Sequence, residues 1–181
     1  MNRVGEFEKV SYEQFYDAMK DEFYEGVSGS SDSPSEESVS AYIKEVYDAI
    51  QLPVRATSGS AGYDFKAPIT FTLEPGAAIK IPTGIRVKIN EGWWLGCLPR
   101  SGLGFKYQMC LANTFAVVDS DYYNSSNEGH IFLKIVNGGR KTVTVEAGSG
   151  FAQALFIPYG ITYTDTADGV RDGGMGSTDK K

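Results

Sequence analysis

The chain has 181 residues, enough for one domain of ordinary size or one domain with an appendage. Its hydrophobic content of 41% can fill a core, yet no run approaches the ~20 apolar residues of a membrane span. The net charge is −6 and no basic stripe is present, which argues against a duplex nucleic-acid partner.

Nothing at the N-terminus reads as a secretory signal, so a cytoplasmic protein is expected. Cys97 and Cys110 both sit in apolar segments and read as small buried thiols rather than a disulfide or a metal site. The charge is uneven. Residues 1–50 hold 4 basic and 12 acidic side chains, and residues 51–181 hold 13 and 11. Three regions are expected: an acidic extension over 1–50 with a linker at 26–32, a β core over 51–165, and a glycine-rich arm over 166–181.

Residues 1–50 read as helical. Ser11-Tyr12-Glu13-Gln14 fits a capping box, with Tyr12, Phe15, Tyr16, Met19 and Phe23 at helical spacing behind it. Gly26–Asp32 has the composition of a flexible linker. Ser33-Pro34-Ser35-Glu36 reads as a second capping box, with Pro at the first helical position. Val39, Tyr42, Ile43, Val46, Tyr47 and Ile50 then line one apolar face. Two amphipathic helices packed on the core or on each other explain this pattern; a docking module for another protein is the alternative.

From Leu52 the pattern changes to short strands between Gly, Pro and Asn turns. Ile69–Leu73, Ile79–Ile81, Ile85–Ile89 and Trp93–Leu98 are strands. Ile131–Val136 and Thr142–Val145 flank a Gly138-Gly139 turn and read as a hairpin. Strands of this number and spacing predict a β-sandwich or jelly roll, a mainly β fold with an α-helical N-terminal extension. Trp93 and Trp94 are assigned to core and interface. The sole His130, beside Gly129 in a polar stretch, is taken as a surface histidine.

Leu98–Asp121, LPRSGLGFKYQMCLANTFAVVDSD, carries the most chemistry. Arg100-Ser101-Gly102 sets a cationic fork, a hydroxyl and a glycine in a row. The fork matches phosphate oxygens bidentately, the hydroxyl can donate to them, and the glycine lets backbone N–H groups approach. Asp119 closes an apolar run and is a candidate general base. A hairpin turning near Asn113-Thr114 is expected to join the two, which lie close in sequence.

LPRSGLGFK, Asn113 six residues before the acid, and VVDSDY resemble motifs two and three of the homotrimeric dUTPases. Ala61-Gly62-Tyr63-Asp64 resembles the first motif, Gly150-Phe151-Ala152-Gln153 the fourth, and Arg171–Thr178 the glycine-rich fifth. The resemblance covers residues 51–181 and implies a jelly-roll subunit in a homotrimer with shared active sites. It also implies hydrolysis of dUTP to dUMP and pyrophosphate, which keeps uracil out of DNA and supplies dUMP. In that pattern Asp119 activates water, standing within one water of a phosphorus held at the arginine corner. Arg100, Ser101, Gly102, Gln153, Arg171, Gly176 and Ser177 bind phosphates. Asn113, Val117, Val118, Tyr122 and Met175 line the uracil and deoxyribose pocket. Asn113 suits the O4 and N3–H edge of uracil, because an amide offers both a donor and an acceptor. Tyr122 packs under the sugar and leaves no room for a 2′-oxygen. Mg²⁺ is implied as cofactor, held by substrate phosphates and waters. Asp64 orients a basic residue or a magnesium-bound water, or else pins its own turn. Asp121 is taken as structural. The arm is expected to cross to another subunit and close over the nucleotide.

The chain departs from the pattern in four places. Met175 stands where most relatives carry Phe. Ser149 and Gly150 replace an acid and an Arg in the fourth motif. Tyr123–Glu128 intervenes before Gly129 and is expected to project at a subunit boundary. The helices of residues 1–50 have no family counterpart. Two alternatives remain: a dCTP deaminase relative, disfavoured by the Asp after Val117-Val118 and the Tyr three residues on, and a regulatory nucleotide-binding protein on the same fold. A thioether covers a base without stacking as a ring does. Met175→Phe is therefore expected to lower KM for dUTP in steady-state assays, and an unchanged KM removes the argument.

Overall fold

The computed structural model describes residues 2–24, 34–169 and 171. It is mainly β. The strands are β1 (Gly5–Lys9), β2 (Val54–Arg55), β3 (Tyr63–Lys66), β4 (Phe71–Leu73), β5 (Ala78–Pro82), β6 (Ile85–Ile89), β7 (Trp93–Pro99), β8 (Met109–Leu111), β9 (Ala116–Val118), β10 (Phe132–Asn137), β11 (Val143–Val145) and β12 (Gly150–Pro158). The helices are α1 (Tyr12–Phe23), α2 (Glu36–Ala49) and α3 (Ser101–Tyr107). The largest sheet runs β2-β3-β12-β7-β9, and a second runs β5-β10-β8. Period-two alternation sets the core. Leu133 and Ile135 of β10 point inward while Lys134 points out, and they meet Ile81, Leu95, Cys97, Ala152 and Ala154 in one buried cluster.

The expected hairpin across Gly138-Gly139 does not form. β10 pairs with β5 and β8, whereas β11 pairs with β4. The buried Asn137 explains the change of direction. Its Nδ2 donates to Leu73 O and Lys141 O, both at 2.9 Å, and its Oδ1 accepts from Gly139 N–H at 3.0 Å. Those bonds draw the turn across to β4.

The extension is not helical throughout. Gly5–Lys9 is a strand, antiparallel to β6, with Phe7 opposite Val87. The alternation Glu6-Phe7-Glu8 was the signal for it. Ser11 caps α1 as expected, its Oγ accepting from Gln14 N–H at 3.1 Å. The second cap is Ser35 rather than Ser33, with Oγ accepting from Ser38 N–H at 3.2 Å. Residue 33 and the linker expected at 26–32 lie outside the described residues. The two helices pack through Phe15, Met19, Val39, Ile43 and Val46, with Val10 completing the cluster and Ile50 and Ile69 at its margin.

Two residue assignments change. Cys97 is buried, which pushes its thiol up to about 12, but Cys110 is exposed. Met109 and Leu111 take the inward positions of β8 and leave Cys110 the outward one. His130 is fully buried rather than on the surface. Its ring lies 4.3 Å from that of Phe132 and 6.2 Å from that of Phe15, centroid to centroid. Its Nε2 accepts from Gly84 N–H at 2.8 Å. Gly84 is required there: φ is +70°, and a Cβ would collide with Ile50 Cδ1. Phe15 of α1 and Phe132 of β10 cover a histidine that the polar sequence around it suggested was wet.

Burial holds the His130 imidazole down to about 3. In the unfolded chain it takes a proton near 6.5. Between those values the unfolded state binds more protons, so this contribution is complete above pH 6.5 and is lost as pH falls. Thermal melts are expected to show stability dropping from pH 6.5 to 5 by up to ~1.4 kcal/mol per unit. His130→Gln, whose carbonyl can accept from Gly84, should flatten that slope; an equal slope in both proteins would assign it to other groups.

Candidate active site

The fourth-motif strand β12 lies between β3 and β7, with Gln153 opposite Asp64 on one side and Leu98 on the other. Residues in cross-strand register share a face, and Arg100 follows Leu98 by two. Arg100, Asp64 and Gln153 are thus gathered at one corner. Arg100 Nη2 lies 3.4 Å from Asp64 Oδ2, and Gln153 Nε2 donates to Pro99 O at 3.5 Å. Both partners of the ion pair are partly exposed, so its effect is orientation more than stability.

Gly150 explains the departure in the fourth motif. A Cβ there would lie 2.8 Å from Arg100 Nη1 and 3.1 Å from its Cζ. The Arg100 guanidinium crosses the space a side chain at 150 would fill.

Ser101 and Gly102 open α3, a helix that two glycines hid from sequence reasoning. Leu103 and Gly104 N–H groups donate to Arg100 O at 3.0 Å each, while the N–H groups of Ser101 and Gly102 precede the first helical bond. Beside them is a cavity of about 280 Å³ lined by Pro99, Arg100, Ser101, Gly104 and Phe105, whose ring is 90% exposed. A larger cavity of about 750 Å³, with Arg3, Arg55, Trp93 and Phe156 in its lining, includes Ala61 but none of the candidate phosphate or base groups.

The third motif is built differently from the hairpin expected. The chain does turn at Asn113-Thr114, where Thr114 has φ +65° and its N–H donates to Leu111 O at 2.9 Å. The strands on either side, however, belong to different sheets: β8 pairs with β10 and β9 with β7. Each is the edge strand of its sheet. The loop is pinned by Phe115, whose ring lies against Gly96 and meets Trp94 edge-on at 5.2 Å. Asn113 is exposed, and Val117 is 53% exposed. Val118 is buried opposite Leu95, which leaves only its backbone for a ligand.

Asp119 follows β9 and precedes a 3-10 turn, Ser120–Asn124. Its carboxylate is half exposed. Tyr122 is only 2% exposed: its OH donates to His130 O and accepts from Asn127 Nδ2, both at 2.8 Å. Burial raises the phenol above its ordinary value. Arg171 does not reach a phosphate corner here. Its Nη1 donates to Asp119 Oδ2 at 2.8 Å and Asp121 Oδ1 at 3.1 Å, and its guanidinium lies 5.1 Å from the Tyr122 ring centroid. Two carboxylates of its own chain hold it. Met175, Gly176 and Ser177 lie outside the described residues.

The structure does not bring the carboxylate to the arginine corner within one chain. Val118 is opposite Leu95, so Asp119 falls level with Trp94. Arg100 stands six positions further along β7, about 20 Å away at the rise of a strand. The expectation of a base within one water of that corner fails for a single chain, because β9 runs antiparallel to β7 and carries Asp119 to its far end. Asn127, which donates to Tyr122 OH, and Ser125, whose Oγ donates to Tyr122 O at 2.6 Å, are residues sequence reading missed as supports for Tyr122. Their only signal was the length of the YNSSNE stretch. Among the described residues, no three or more His, Cys, Asp or Glu side chains gather as a metal site.

The dUTPase family model matches residues 48–178. The chain is 37% identical over 132 residues to the deoxyuridine 5'-triphosphate nucleotidohydrolase of Lactococcus lactis, covering 71% of this chain and 88% of that one. It is 37% identical over 146 residues to the protein of that name from Desulfitobacterium hafniense, covering 76% and 93%. The Streptococcus mutans dUTPase crystal structure superposes with a TM-score of 0.55 at 37% identity, over 61% of this chain and 88% of that one. The phage phi11 dUTPase of S. aureus shares the fold, with a TM-score of 0.54 at 21% identity over 66% and 90%, and the structure of a point mutant of that phage protein shows the coordination of a structural Mg(II) ion. A mainly β body that superposes on solved dUTPase structures defines the class by its fold, and the family match over residues 48–178 places the chain in the dUTPase family.

The Gly150 geometry gives a test. Gly150→Ala displaces only the flexible end of Arg100, so the melting temperature should hold while triphosphate affinity falls about tenfold, a loss of about 1.4 kcal/mol. Unchanged affinity in a binding titration would mean that Arg100 does not hold the polyphosphate.

Proposed function

We infer that this chain is a dUTP diphosphatase, cleaving dUTP to dUMP and pyrophosphate by attack of water on the α-phosphorus. The carrying observation is Asp119, a half-exposed carboxylate at the end of an edge strand, one short strand beyond Asn113. Asp119 takes the proton of the attacking water, a P–O bond forms at the α-phosphorus, and the bridging bond to the β-phosphate breaks as pyrophosphate leaves. Arg100, the Ser101 hydroxyl, the Gly102 backbone and Gln153 hold the phosphates, and catalysis is chiefly positioning and charge stabilisation. Asp64 aims Arg100 through the 3.4 Å ion pair.

Uracil enters between the unpaired edges of β8 and β9, where backbone donors and acceptors are free and Asn113 supplies an amide. Cytosine reverses the donor pattern and leaves polar groups unpaired. The methyl of thymine meets backbone between Ala112 and Asp119. Tyr122 forms the floor under the sugar once Arg171 leaves its ring for the γ-phosphate. Gly176, Ser177 and Met175 follow in the closing arm. The donor set fits Mg²⁺ only as an ion carried on the substrate phosphates, because Asp64 is already paired with Arg100; the ion neutralises phosphate charge when bound. An enzyme of the deoxynucleotide pool working in the cytoplasm agrees with the sequence.

The separation along β7 supports a homotrimer with shared sites, in which Asp119 of one copy faces the Arg100 corner of the next. Such a site predicts complementation. Asp119→Asn and Arg100→Ala should each lose at least about a thousandfold in kcat/KM. Mixed by unfolding and reassembly, they should regain activity, since random assortment in a cyclic trimer leaves about a quarter of the sites with both groups intact. No regain from assembled mixtures would place both groups in one chain's site. Release of ammonia from dCTP would instead favour the deaminase relative.

A further inference from the structure

The loop behind the proposed base is gripped from outside by the N-terminal extension. The 3-10 turn starts immediately after Asp119, and its Tyr122 and Tyr123 face opposite duties. Tyr122 is held from within by Asn127 and His130 O. Tyr123 OH donates to Glu8 Oε2 of β1 at 2.8 Å and accepts from Arg86 Nη2 of β6 at 2.7 Å. Arg86 closes the triangle, donating to the same Glu8 oxygen through Nε at 3.1 Å and Nη2 at 2.8 Å. Its guanidinium sits 4.2 Å from the Tyr123 ring centroid.

The loop's other end is clasped by the N-cap residue of α1. Glu128 accepts from Ser11 N–H at 2.7 Å and from Ser11 Oγ–H at 2.6 Å, one bond to each carboxylate oxygen. Glu128 does this with φ +58°, in the left-handed region. A long, non-glycine side chain stays there only where its surroundings over-determine it. Bonds to a carboxylate are stronger than neutral ones. Tyr123–Glu128 thus turns inward onto the extension of its own chain.

We propose that the N-terminal extension is a positioning device for the catalytic loop: Glu8 and Ser11 hold Tyr123 and Glu128, and through them fix the places of Asp119 and Tyr122. Tyr123 and Glu128 are then positioning residues for turnover and for refusing the ribonucleotide. The proposal rests on the roles given above to Asp119 and Tyr122. A loop carrying the base at one end and the sugar platform in its middle tolerates little drift, since a misplacement near 1 Å can cost about a hundredfold.

The test uses the full chain. Glu128→Gly removes the carboxylate while suiting the backbone, and Tyr123→Phe keeps the ring over Arg86 while removing the hydroxyl. In each, kcat for dUTP is expected to fall about tenfold, and the kcat/KM ratio of dUTP over UTP to fall with it. Ser11→Ala added to Glu128→Gly should cost no further activity, because both touch one clasp. Glu128→Gln, which can still accept from the Ser11 hydroxyl, should recover most of the loss. Val39→Ala, which loosens the helix pair away from the loop, should lower the melting temperature and leave the ratio unchanged. Wild-type kcat and selectivity in Glu128→Gly and Tyr123→Phe would overturn the proposal, as would an equal loss of selectivity in Val39→Ala. Turnover surviving in Asp119→Asn would instead overturn the assignment of the base.

Discussion

Strand β7 sets the terms for the chemistry. It is bonded on both sides, to β12 along its length and to β9 through its middle residues, Leu95–Cys97, so its two ends cannot approach each other. Arg100 leaves one end and Asp119 is tied to the other. A seven-residue strand at full extension is a rigid spacer, and neither side chain can bridge its span. Any reaction that uses both groups therefore needs a second chain to supply one of them. The same strand fixes the Asn113 loop, because Phe115 packs onto Gly96 where no side chain intervenes.

The arginine corner shows how a departure from a family pattern can be absorbed locally. The fourth motif lacks its usual arginine, and the position holds Gly150. The space is not empty: the Arg100 guanidinium crosses it, with Asp64 beyond. The missing side chain at 150 is what gives the Arg100 guanidinium room. Gly62 fits the same corner, since a Cβ there would lie 2.8 Å from Gln153 Oε1. Motif residues that look independent in sequence are here one packing problem.

The parts legible in the sequence are those whose signal is local. The Ser11 cap and the inward face of β10 follow from hydroxyl placement and period-two alternation. The turn at Asn113 was visible, but its strands part to different sheets, and pairing across a sheet leaves no trace in spacing. Strand β1 was hidden by the helical pattern next to it, although Phe7 alternates with two glutamates. The roles proposed for Asp119, Arg100 and Asn113 came from contiguous motif residues. What sequence could not supply was the distance from Asp119 to Arg100, which depends on the direction in which β9 lies against β7.

His130, Gly84 and the Tyr123–Glu128 stretch make sense only together with residues 1–50. His130 can be buried neutral because Phe15 of α1 covers it and Gly84 N–H meets its Nε2. Gly84 must lack a side chain because Ile50 packs onto it, and its carbonyl takes the N–H of Val10 at 3.0 Å. Glu128, a residue ill suited to a positive φ, is held there by both donors of Ser11. Strip the extension away and a carboxylate loses both bonds, a strained turn loses its restraint, and an apolar-packed histidine meets water. Each of these costs free energy only in a chain without the extension. The inserted loop and the extension thus form one structural unit, and that unit ends at the residue proposed to activate water.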